Sequence, residues 1–153
     1  ADRMGLDFVE SDAEIETAAG MSIPEIFASR GEVDFRAGEA RVIARLLREH
    51  SGVIATGGGA FMNAETRALV AQTAISVWLK ADVDVLMARV SKRPNRPLLR
   101  TPNPRATLQK LVTERYPVYG LADLTIVSSD VPHDQVAQAI LAALKSYLDE
   151  KVS

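Results

Sequence analysis

Short apolar runs alternate with helical patterns along the chain, and this alternation limits the possible fold more than any other feature of the sequence. The runs that predict strands are Leu6–Ser11, Val53–Thr56, Ala74–Lys80 and a last one that starts at Leu124. Val53–Thr56 is almost continuously apolar, as strands buried on both faces of a parallel sheet are. Strands that alternate with helices predict a parallel sheet of the α/β class.

Capping signals mark where the predicted helices begin. Ser11 precedes Glu14 by three residues, and this capping-box spacing predicts a helix from Asp12 to near Gly20. Because the strand Leu6–Ser11 leads directly into this helix, the two elements form the first strand–helix unit of the chain.

The same spacing recurs at Ser22 and Glu25 and predicts a second helix that ends near Gly31, followed by a longer one from Asp34 to Glu49. The remaining helix starts are polar residues that commonly cap helices: Asn63, Asp82, Asn103 and Asp130. The last helix carries apolar residues at helical spacing, which predict a core-facing stripe: Val136, Ile140, Leu141, Leu144 and Leu148.

The composition is that of an ordinary globular domain and excludes several kinds of protein. The chain has 153 residues, of which 47% are hydrophobic and 25% are charged. No run approaches the roughly 18 apolar residues that span a bilayer, and the charged start of the chain predicts no signal peptide. The absence of cysteine excludes disulfides, thiolate metal sites and cysteine nucleophiles, and fits a cytoplasmic protein. His50 and His133 lack metal-ligand spacing and are predicted at the surface.

Positive charge is concentrated in one proline-rich segment, Ser91–Arg105, in which five basic residues occur without an acidic one. The net charge of the whole chain is −2, which argues against general nucleic-acid binding. Outside the segment, 13 basic and 20 acidic residues leave a net charge of −7. A cationic segment on an acidic body favours a small anionic ligand. A solvated charged loop explains the composition equally well.

Three consecutive glycines, Gly57, Gly58 and Gly59, follow the predicted strand that ends at Thr56. They do not form a phosphate-binding P-loop, because no glycine of this chain is followed by lysine. They also fail the dinucleotide-binding fingerprint, since Met62 stands where its third small residue belongs. Two explanations are left: a tight turn that needs positive φ, or a backbone that a ligand approaches closely.

Three side chains are candidates for binding a polar, anionic small molecule. Asp12 follows a predicted strand, where it could accept hydrogen bonds from hydroxyl groups or take a proton from one. A carboxylate stabilised by the helix dipole is the alternative explanation for Asp12. Arg36 and Arg115 could each hold a carboxylate through two hydrogen bonds, although a single Arg on a helix is more often solvated or ion-paired.

The ends of the predicted strands indicate where such a ligand would bind. In parallel sheets, ligands lie beyond the carboxyl ends of the strands. We therefore expect Glu10–Asp12, Gly57–Gly59 and the segment after Lys80 to lie around one cleft. Trp78, inside a predicted strand, is expected in the core.

Five stretches of the chain, taken together, resemble the shikimate kinase family. They are ESDAEIE from Glu10, GMSIPEIFASRGEVDFRAGEARVI from Gly20, ATGGGA from Ala55, RPLL from Arg96 and ERYPVY from Glu114. They occur in the family's order and at its spacings, over nearly the whole chain. The resemblance implies a P-loop kinase of the nucleoside-monophosphate-kinase type. Its fold would be a three-layer α/β/α arrangement with a parallel sheet of strand order 2-3-1-4-5 and a mobile basic lid at about residues 91–105.

The resemblance also implies transfer of the γ-phosphate of ATP, with Mg²⁺, to the 3-hydroxyl of shikimate. Asp12 would bind the shikimate hydroxyls and accept the proton of the attacking one. Arg36 and Arg115 would pair with the shikimate carboxylate, and the backbone of Gly57–Gly59 would contact the ring and its hydroxyls. Three further residues fall where the family shapes and braces this pocket: Phe27, Phe35 and Glu39.

On the nucleotide side, the resemblance assigns Arg96 to the phosphates of ATP, with a catalytic role, and Arg89 to the neighbourhood of the adenine. Two positions depart from the family pattern. Glu10 stands where many members have an Asp that helps to hold hydrated Mg²⁺, so we expect it to act through water. Pro132 stands where an adenine-contacting Arg is often found, so we expect at most a backbone contact there.

The family begins with a strand and a GxxGxGKS/T phosphate loop, whereas this chain starts near the end of the helix that follows that loop. We therefore expect residues 1–153 to be a single kinase domain without its P-loop segment, in which the strands pair two by two and ATP is neither bound tightly nor turned over. We also expect a cytoplasmic monomer that binds shikimate and ATP but no nucleic acid or membrane. Three alternatives stay open: a related small-metabolite kinase such as a gluconate kinase, a non-catalytic shikimate-binding module, and an inert fragment.

Overall fold

The chain folds into two compact units, each built on one pair of parallel strands. The computed structural model describes residues 5–91, 102–128 and 133–152. The units are Ala1–Ala74 and Ile75–Ser153, which we call the N-terminal and the C-terminal unit. Within the described residues, the helices are all too short or too polar to cross a membrane.

The N-terminal unit places three helices and a 3₁₀ turn around two strands. Its elements are β1 (Asp7–Glu10), α1 (Ser11–Ala19), α2 (Ile23–Glu49), β2 (Gly52–Ala55), the 3₁₀ turn (Ala60–Met62) and α3 (Ala64–Thr73). The two strands are parallel, with Asp7 opposite Gly52 and Glu10 opposite Ala55. The first two predicted strands are therefore confirmed, and both end at the same edge of the sheet.

The core of this unit forms between α1 and α2. Ile15 of α1 packs in one buried cluster with Ile26, Phe35, Val42 and Leu46 of α2. Burying an apolar side chain of this size stabilises a fold by about 1.5–3 kcal/mol. Because Phe35 belongs to the cluster, the core fixes the turn of α2 that also carries its neighbour in sequence, an arginine.

Glycines and a capping box divide the helical segments as the sequence predicts. α1 ends at Gly20, which adopts the left-handed conformation at φ 69°. At the start of α2, the Ser22 hydroxyl accepts a hydrogen bond from the Glu25 N–H, and the Glu25 carboxylate accepts one from the Ser22 N–H. Gly31, with φ 85° and ψ 172°, interrupts α2 at the predicted boundary between two helices.

The capping box predicted at Ser11 and Glu14 is wrong. The residue in the capping position is Glu10, and its side chain makes no capping hydrogen bond. Ser11 is already the first helical residue and is fully buried. Its hydroxyl therefore faces the interior and not the free N–H groups of the first turn. The helix itself, and its end at Gly20, are as predicted.

The C-terminal unit also pairs two strands and surrounds them with helices. Its elements are β3 (Val77–Lys80), α4 (Val83–Ser91), α5 (Pro104–Tyr119), β4 (Leu124–Val127) and α6 (His133–Val152). β3 and β4 are parallel, with Val77 opposite Leu124 and Lys80 opposite Val127. In the described ranges the four strands thus pair two by two, which confirms that expectation.

Side-chain caps fix the helix starts of this unit, as predicted. The Asp82 carboxylate accepts a hydrogen bond from the Val85 N–H at 2.9 Å, at the start of α4. The Asn103 side chain accepts one from the Ala106 N–H at 3.1 Å, at the start of α5. In the N-terminal unit, Asn63 caps α3 in the same way. The start predicted for the last helix, at Asp130, lies outside the described residues.

Two predictions about this unit need correction. β3 begins at Val77 and is shorter than the predicted strand Ala74–Lys80; at Ser76, just before it, the N–H donates to the Asp123 carboxylate at 2.9 Å and not to a strand. Leu148, the last member of the predicted core-facing stripe, is 49% exposed. The stripe on α6 therefore reaches the surface toward the end of the helix.

Candidate functional site

The carboxyl end of β1 presents two acidic side chains with a buried serine between them. Glu10 ends the strand and is exposed, while Asp12 lies in the first turn of α1 and is half-buried. A carboxylate in the first turn is favoured by the positive end of the helix dipole. The Oγ of Ser11, between them, is buried and has no hydrogen-bond partner among the described residues.

Arg36 is held in place by a buried carboxylate and an aromatic ring. Its Nη1 donates to Glu39 Oε1 at 2.9 Å, and Glu39 is only 3% exposed. The Glu32 carboxylate lies farther away, 3.7 Å from Nε. The guanidinium carbon is 5.1 Å from the centre of the Phe35 ring, which in turn lies 4.6 Å from the ring of Phe27. Because an unpaired buried carboxylate is costly, the ion pair restrains both of its side chains.

Gly57 and Gly59 leave the space that Asp12 and Arg36 occupy. A Cβ at Gly57 would come within 3.1 Å of Asp12 Oδ1, and a Cβ at Gly59 would overlap the Arg36 guanidinium. None of the three glycines of this loop, Gly57–Gly59, has positive φ. The tight-turn explanation is therefore wrong, and the absence of side chains serves the close approach of two protein side chains to the loop.

The N-terminal unit thus brings Asp12, Arg36 and the Gly57–Gly59 loop together. The carboxylate can accept hydrogen bonds or a proton from a hydroxyl group. The guanidinium can donate two hydrogen bonds to an anion such as a carboxylate. These properties suit a hydroxylated carboxylic acid of small size.

Arg89 is tied to the carboxyl edge of the second sheet. Its Nη2 donates to the Ser128 hydroxyl at 2.6 Å, and Ser128 is only 3% exposed. The Ser128 N–H donates to the Lys80 carbonyl at 2.6 Å, so the hydroxyl sits where β3 and β4 end. The guanidinium is thereby held at the edge where ligands of parallel sheets bind.

Arg115 is half-buried on α5, beside an aromatic cluster at the end of β3. Tyr116 donates its hydroxyl to the Ala81 carbonyl. Trp78 lies edge-on to the Tyr116 ring at 4.9 Å and to the Tyr119 ring at 5.7 Å. Burial raises the pKa of the Tyr116 hydroxyl above its ordinary value, so the hydroxyl stays a neutral donor at neutral pH. Trp78 was expected in the core but is only half-buried.

Several predicted site residues fall outside the described part of the chain. Arg96 and Pro132 are among them, as is most of the predicted lid at about residues 91–105. Of that segment, Arg105 is described: it lies in α5, and its Nη2 is 2.6 Å from Asp84 Oδ1 of α4.

Three contacts made by candidate site residues or by their neighbours in sequence were not predicted from the sequence. The pairing of Arg36 with Glu39 has a local signal, because residues three apart on a helix are neighbours. The hydrogen bonds that tie Arg89 to Ser128 and Tyr116 to Ala81 span 39 and 35 residues. No local pattern indicates contacts of that length.

His50 was predicted at the surface, but one nitrogen of its ring is buried. His50 is half-buried at the end of α2, and its Nε2 is buried without a hydrogen-bond partner among the described residues. It lies close to Gly52, where an added Cβ would come within 3.1 Å of Nε2. Nothing is described of the His133 side chain.

The acidic residues offer oxygen ligands but no complete metal cage. In residues 5–91, 102–128 and 133–152, no cluster of three or more His, Asp or Glu side chains could hold a metal ion. Glu10 ends β1 and Asp12 lies two residues later, in the first turn of α1. Mg²⁺ commonly binds proteins through one or two carboxylates and keeps several waters, so side chains of this type suit a hydrated Mg²⁺.

Comparison with known proteins gives consistent results. The family model described as shikimate kinase matches residues 1–145. A shikimate kinase of Bradyrhizobium diazoefficiens is 58% identical over 148 residues, which are 97% of this chain and 72% of that protein. One of Rhodopseudomonas palustris is 55% identical over 146 residues, which are 95% of this chain and 72% of that protein.

A solved structure is also similar over most of the chain. It is the shikimate kinase from Acinetobacter baumannii in complex with shikimate, with a TM-score of 0.91 and 38% sequence identity. The match covers 95% of this chain and 82% of that one.

Proposed function

Because the chain belongs to the shikimate kinase family, we propose that it transfers the γ-phosphate of ATP to the 3-hydroxyl of shikimate. It has the three-layer α/β/α fold of these kinases. The observation that carries the proposal is the meeting of Asp12 and Arg36 at the Gly57–Gly59 loop. That arrangement offers a base and an anion-binding group to a hydroxylated ring acid, and the ligand named for the solved relative belongs to this chemical class.

In this proposal Asp12 accepts hydrogen bonds from the shikimate hydroxyls and takes the proton of the attacking one. Arg36, held by Glu39, binds the shikimate carboxylate through paired hydrogen bonds, and Arg115 binds the same group. The backbone of Gly57–Gly59 contacts the ring. Fixing the acceptor in this way lowers the barrier by removing the entropy cost of alignment in the reactive step.

The nucleotide side of the proposal relies on positive charge. Arg96 reaches the ATP phosphates, Arg89 lies near the adenine, and Pro132 offers a backbone contact there. Phosphoryl transfer depends on positioning and on charge neutralisation at the transferred group. A cationic lid at about residues 91–105 would add charge and exclude water when it closes.

Glu10 holds the metal through water in this proposal. Mg²⁺ bound with ATP supplies neutralisation of the phosphate charge. The exposure of Glu10 supports an indirect contact, because an exposed carboxylate leaves room for coordinated water.

Further statements about the whole protein are part of the proposal. We propose a single kinase domain over residues 1–153, a monomer and a cytoplasmic location, the last supported by the absence of cysteine.

The test is ADP release from ATP and Mg²⁺ by the complete protein as expressed from its gene, with any residues beyond Ala1 and Ser153 included. We expect ADP release to depend on shikimate and not on gluconate. Asp12→Asn should lower the rate by about 100-fold or more, the usual contribution of a general base. Glu14→Gln, on the same helix but ion-paired with Arg45 at 3.0 Å, is the matched control and should leave the rate unchanged. A rate independent of shikimate, or an Asp12→Asn rate equal to the control, would contradict the proposal.

A further inference from the structure

Helix α5 is fastened to the carboxyl end of β3 at Tyr116. The Tyr116 hydroxyl donates to the carbonyl of Ala81, the residue that follows β3. Ala81 is only 4% exposed. The Trp78 ring packs edge-on against the Tyr116 ring, at 4.9 Å and an interplanar angle of 76°. Tyr116 therefore joins α5 to the end of β3 through both a hydrogen bond and a ring contact.

The anchor point is itself restrained on both sides. Lys80, before Ala81, accepts a hydrogen bond from the Ser128 N–H at 2.6 Å. Asp82, after Ala81, caps α4 through the Val85 N–H at 2.9 Å. A hydrogen bond to the Ala81 carbonyl therefore ties α5 to a turn held by β4 on one side and by α4 on the other.

The helix needs such an anchor at this place because Pro117 lies inside it. Proline has no N–H to donate to the carbonyl four residues earlier, which is that of Thr113. Helices bend most readily at such positions. The direction of the turn that carries Arg115 is therefore not fixed by helical hydrogen bonds alone.

We propose that Tyr116 is a positioning residue: its hydrogen bond to Ala81 sets where the neighbouring Arg115 guanidinium stands for the carboxylate of the acceptor. The inference rests on the proposed function, which gives Arg115 its role. Tyr116 acts through Arg115 and has no contact with the reacting atoms. Its hydroxyl is a neutral donor at neutral pH, so the anchor adds no charge that would compete with the substrate carboxylate.

The variant that tests the inference is Tyr116→Phe, which removes the hydroxyl and keeps the ring that packs on Trp78. Shikimate binding to the complete protein is measured by titration calorimetry, together with kcat and the KM for ATP. We expect the Kd for shikimate to rise by about three- to tenfold, the range for one hydrogen bond, while kcat and the KM for ATP change by less than about twofold. The matched control is Tyr147→Phe on α6, which removes a hydroxyl outside this cluster. It should change neither the Kd for shikimate nor the KM for ATP.

A double-mutant cycle separates positioning from a general structural role. Arg115→Ala alone should raise the Kd for shikimate by at least about tenfold, as expected for a hydrogen bond to a charged group. In the Arg115→Ala background, Tyr116→Phe should then add nothing, because groups that act through one another are not additive. An equal loss of shikimate and ATP affinity, or a Tyr116→Phe effect that persists without Arg115, would overturn the inference.

The two proposals can fail separately. If Arg115→Ala leaves shikimate binding unchanged, both the role of Arg115 and the positioning role of Tyr116 are lost. The phosphoryl transfer itself is judged by the Asp12→Asn assay, which does not involve α5.

Discussion

Arg36 and Arg115, one in each unit, are positioned by different means. Arg36 is paired at 2.9 Å with Glu39, a carboxylate only 3% exposed, and its guanidinium stands in space that Gly59 leaves free. The helix that carries Arg115 is fixed by the neighbouring residue, Tyr116, through a neutral hydrogen bond and aromatic packing. The N-terminal unit therefore positions its arginine by charge and steric fit, and the C-terminal unit does so by the placement of a helix.

The difference has consequences for how each arginine responds to change. The Glu39 carboxylate partly neutralises the charge of the Arg36 guanidinium. The affinity of Arg36 for an anionic ligand therefore depends on how strongly Glu39 competes with that ligand for hydrogen bonds. A neutral anchor leaves the charge of its neighbour untouched. We therefore expect substitutions around Arg36 to affect both stability and binding, and substitutions around Arg115 to affect mainly binding.

The largest effect is expected from Gly59→Ala. The new Cβ would overlap the Arg36 guanidinium, and the Nη1 atom that it displaces is the one paired with the buried Glu39 carboxylate. We expect the Kd for shikimate to rise by about 100-fold, as when one partner of a charged pair is lost, and Tm to fall because the hydrogen bond to Glu39 is weakened. Gly38→Ala on α2 is the matched control, since its Cβ would lie 3.8 Å from its nearest neighbour, Arg41 Nη2, which is an ordinary contact distance. Titration calorimetry measures the Kd for shikimate of both variants. Equal effects would show that steric fit at Gly59 does not position Arg36.

The next effect is expected from Glu39→Gln, which keeps the shape of the side chain and removes its charge. The free energy of unfolding should fall by about 1–3 kcal/mol, the cost of weakening a buried hydrogen bond to a charged group. Urea denaturation measures it. Glu32→Gln is the matched control: its carboxylate is 3.7 Å from Arg36 and its side chain is 68% exposed, so it should change stability by less than about 0.5 kcal/mol. Similar losses in both variants would show that burial of the pair does not matter.

The strands, helix boundaries and caps could be predicted because their causes are local. Ser22, Asn63, Asp82 and Asn103 cap helices where the sequence indicates it. Ser11 has the same capping-box spacing but does not cap, because burial of its side chain decides the outcome. Tertiary packing is what a local signal cannot include.

The candidate site was predictable in its residues but not in its geometry. The sequence pattern identified Asp12 and Arg36 as candidates and the resemblance to a family gave them roles, but the reason for the glycines came only with the structure. Their φ angles and the side chains above them distinguish a tight turn from a close approach. The Tyr116 anchor joins residues 35 apart in sequence, so only the folded chain reveals it.

A smaller effect, confined to alkaline conditions, is expected from Tyr116. Burial raises its folded-state pKa above the ordinary value of 10.0, which applies in the unfolded chain. As pH rises, the unfolded chain therefore loses this proton first and is stabilised relative to the folded one. The contribution of the hydroxyl is complete below pH 10 and is lost as pH rises through the folded-state pKa.

The measurement is the difference in the free energy of unfolding between the unmodified protein and Tyr116→Phe, from pH 8 to pH 11. At pH 8 the unmodified protein should be more stable by about 0.5–1.5 kcal/mol, the net value of one hydrogen bond. The advantage should shrink only above about pH 10. The other tyrosines are present in both proteins and cancel. A difference that stays constant to pH 11 would mean that the hydroxyl is not shielded from water.

The smallest effect is expected from removing the ion pair between Asp84 and Arg105. A large effect would contradict the difference drawn above between the two units. It joins α4 to α5 at 2.6 Å, but the two side chains are 76% and 60% exposed. Exposed pairs contribute little, because water screens the charges and two long side chains lose freedom. Asp84→Asn should therefore lower the free energy of unfolding by less than about 1 kcal/mol, a loss that 0.5 M salt should largely abolish. A loss as large as that of Glu39→Gln, unaffected by salt, would mean that the C-terminal unit also depends on charge to place its helices.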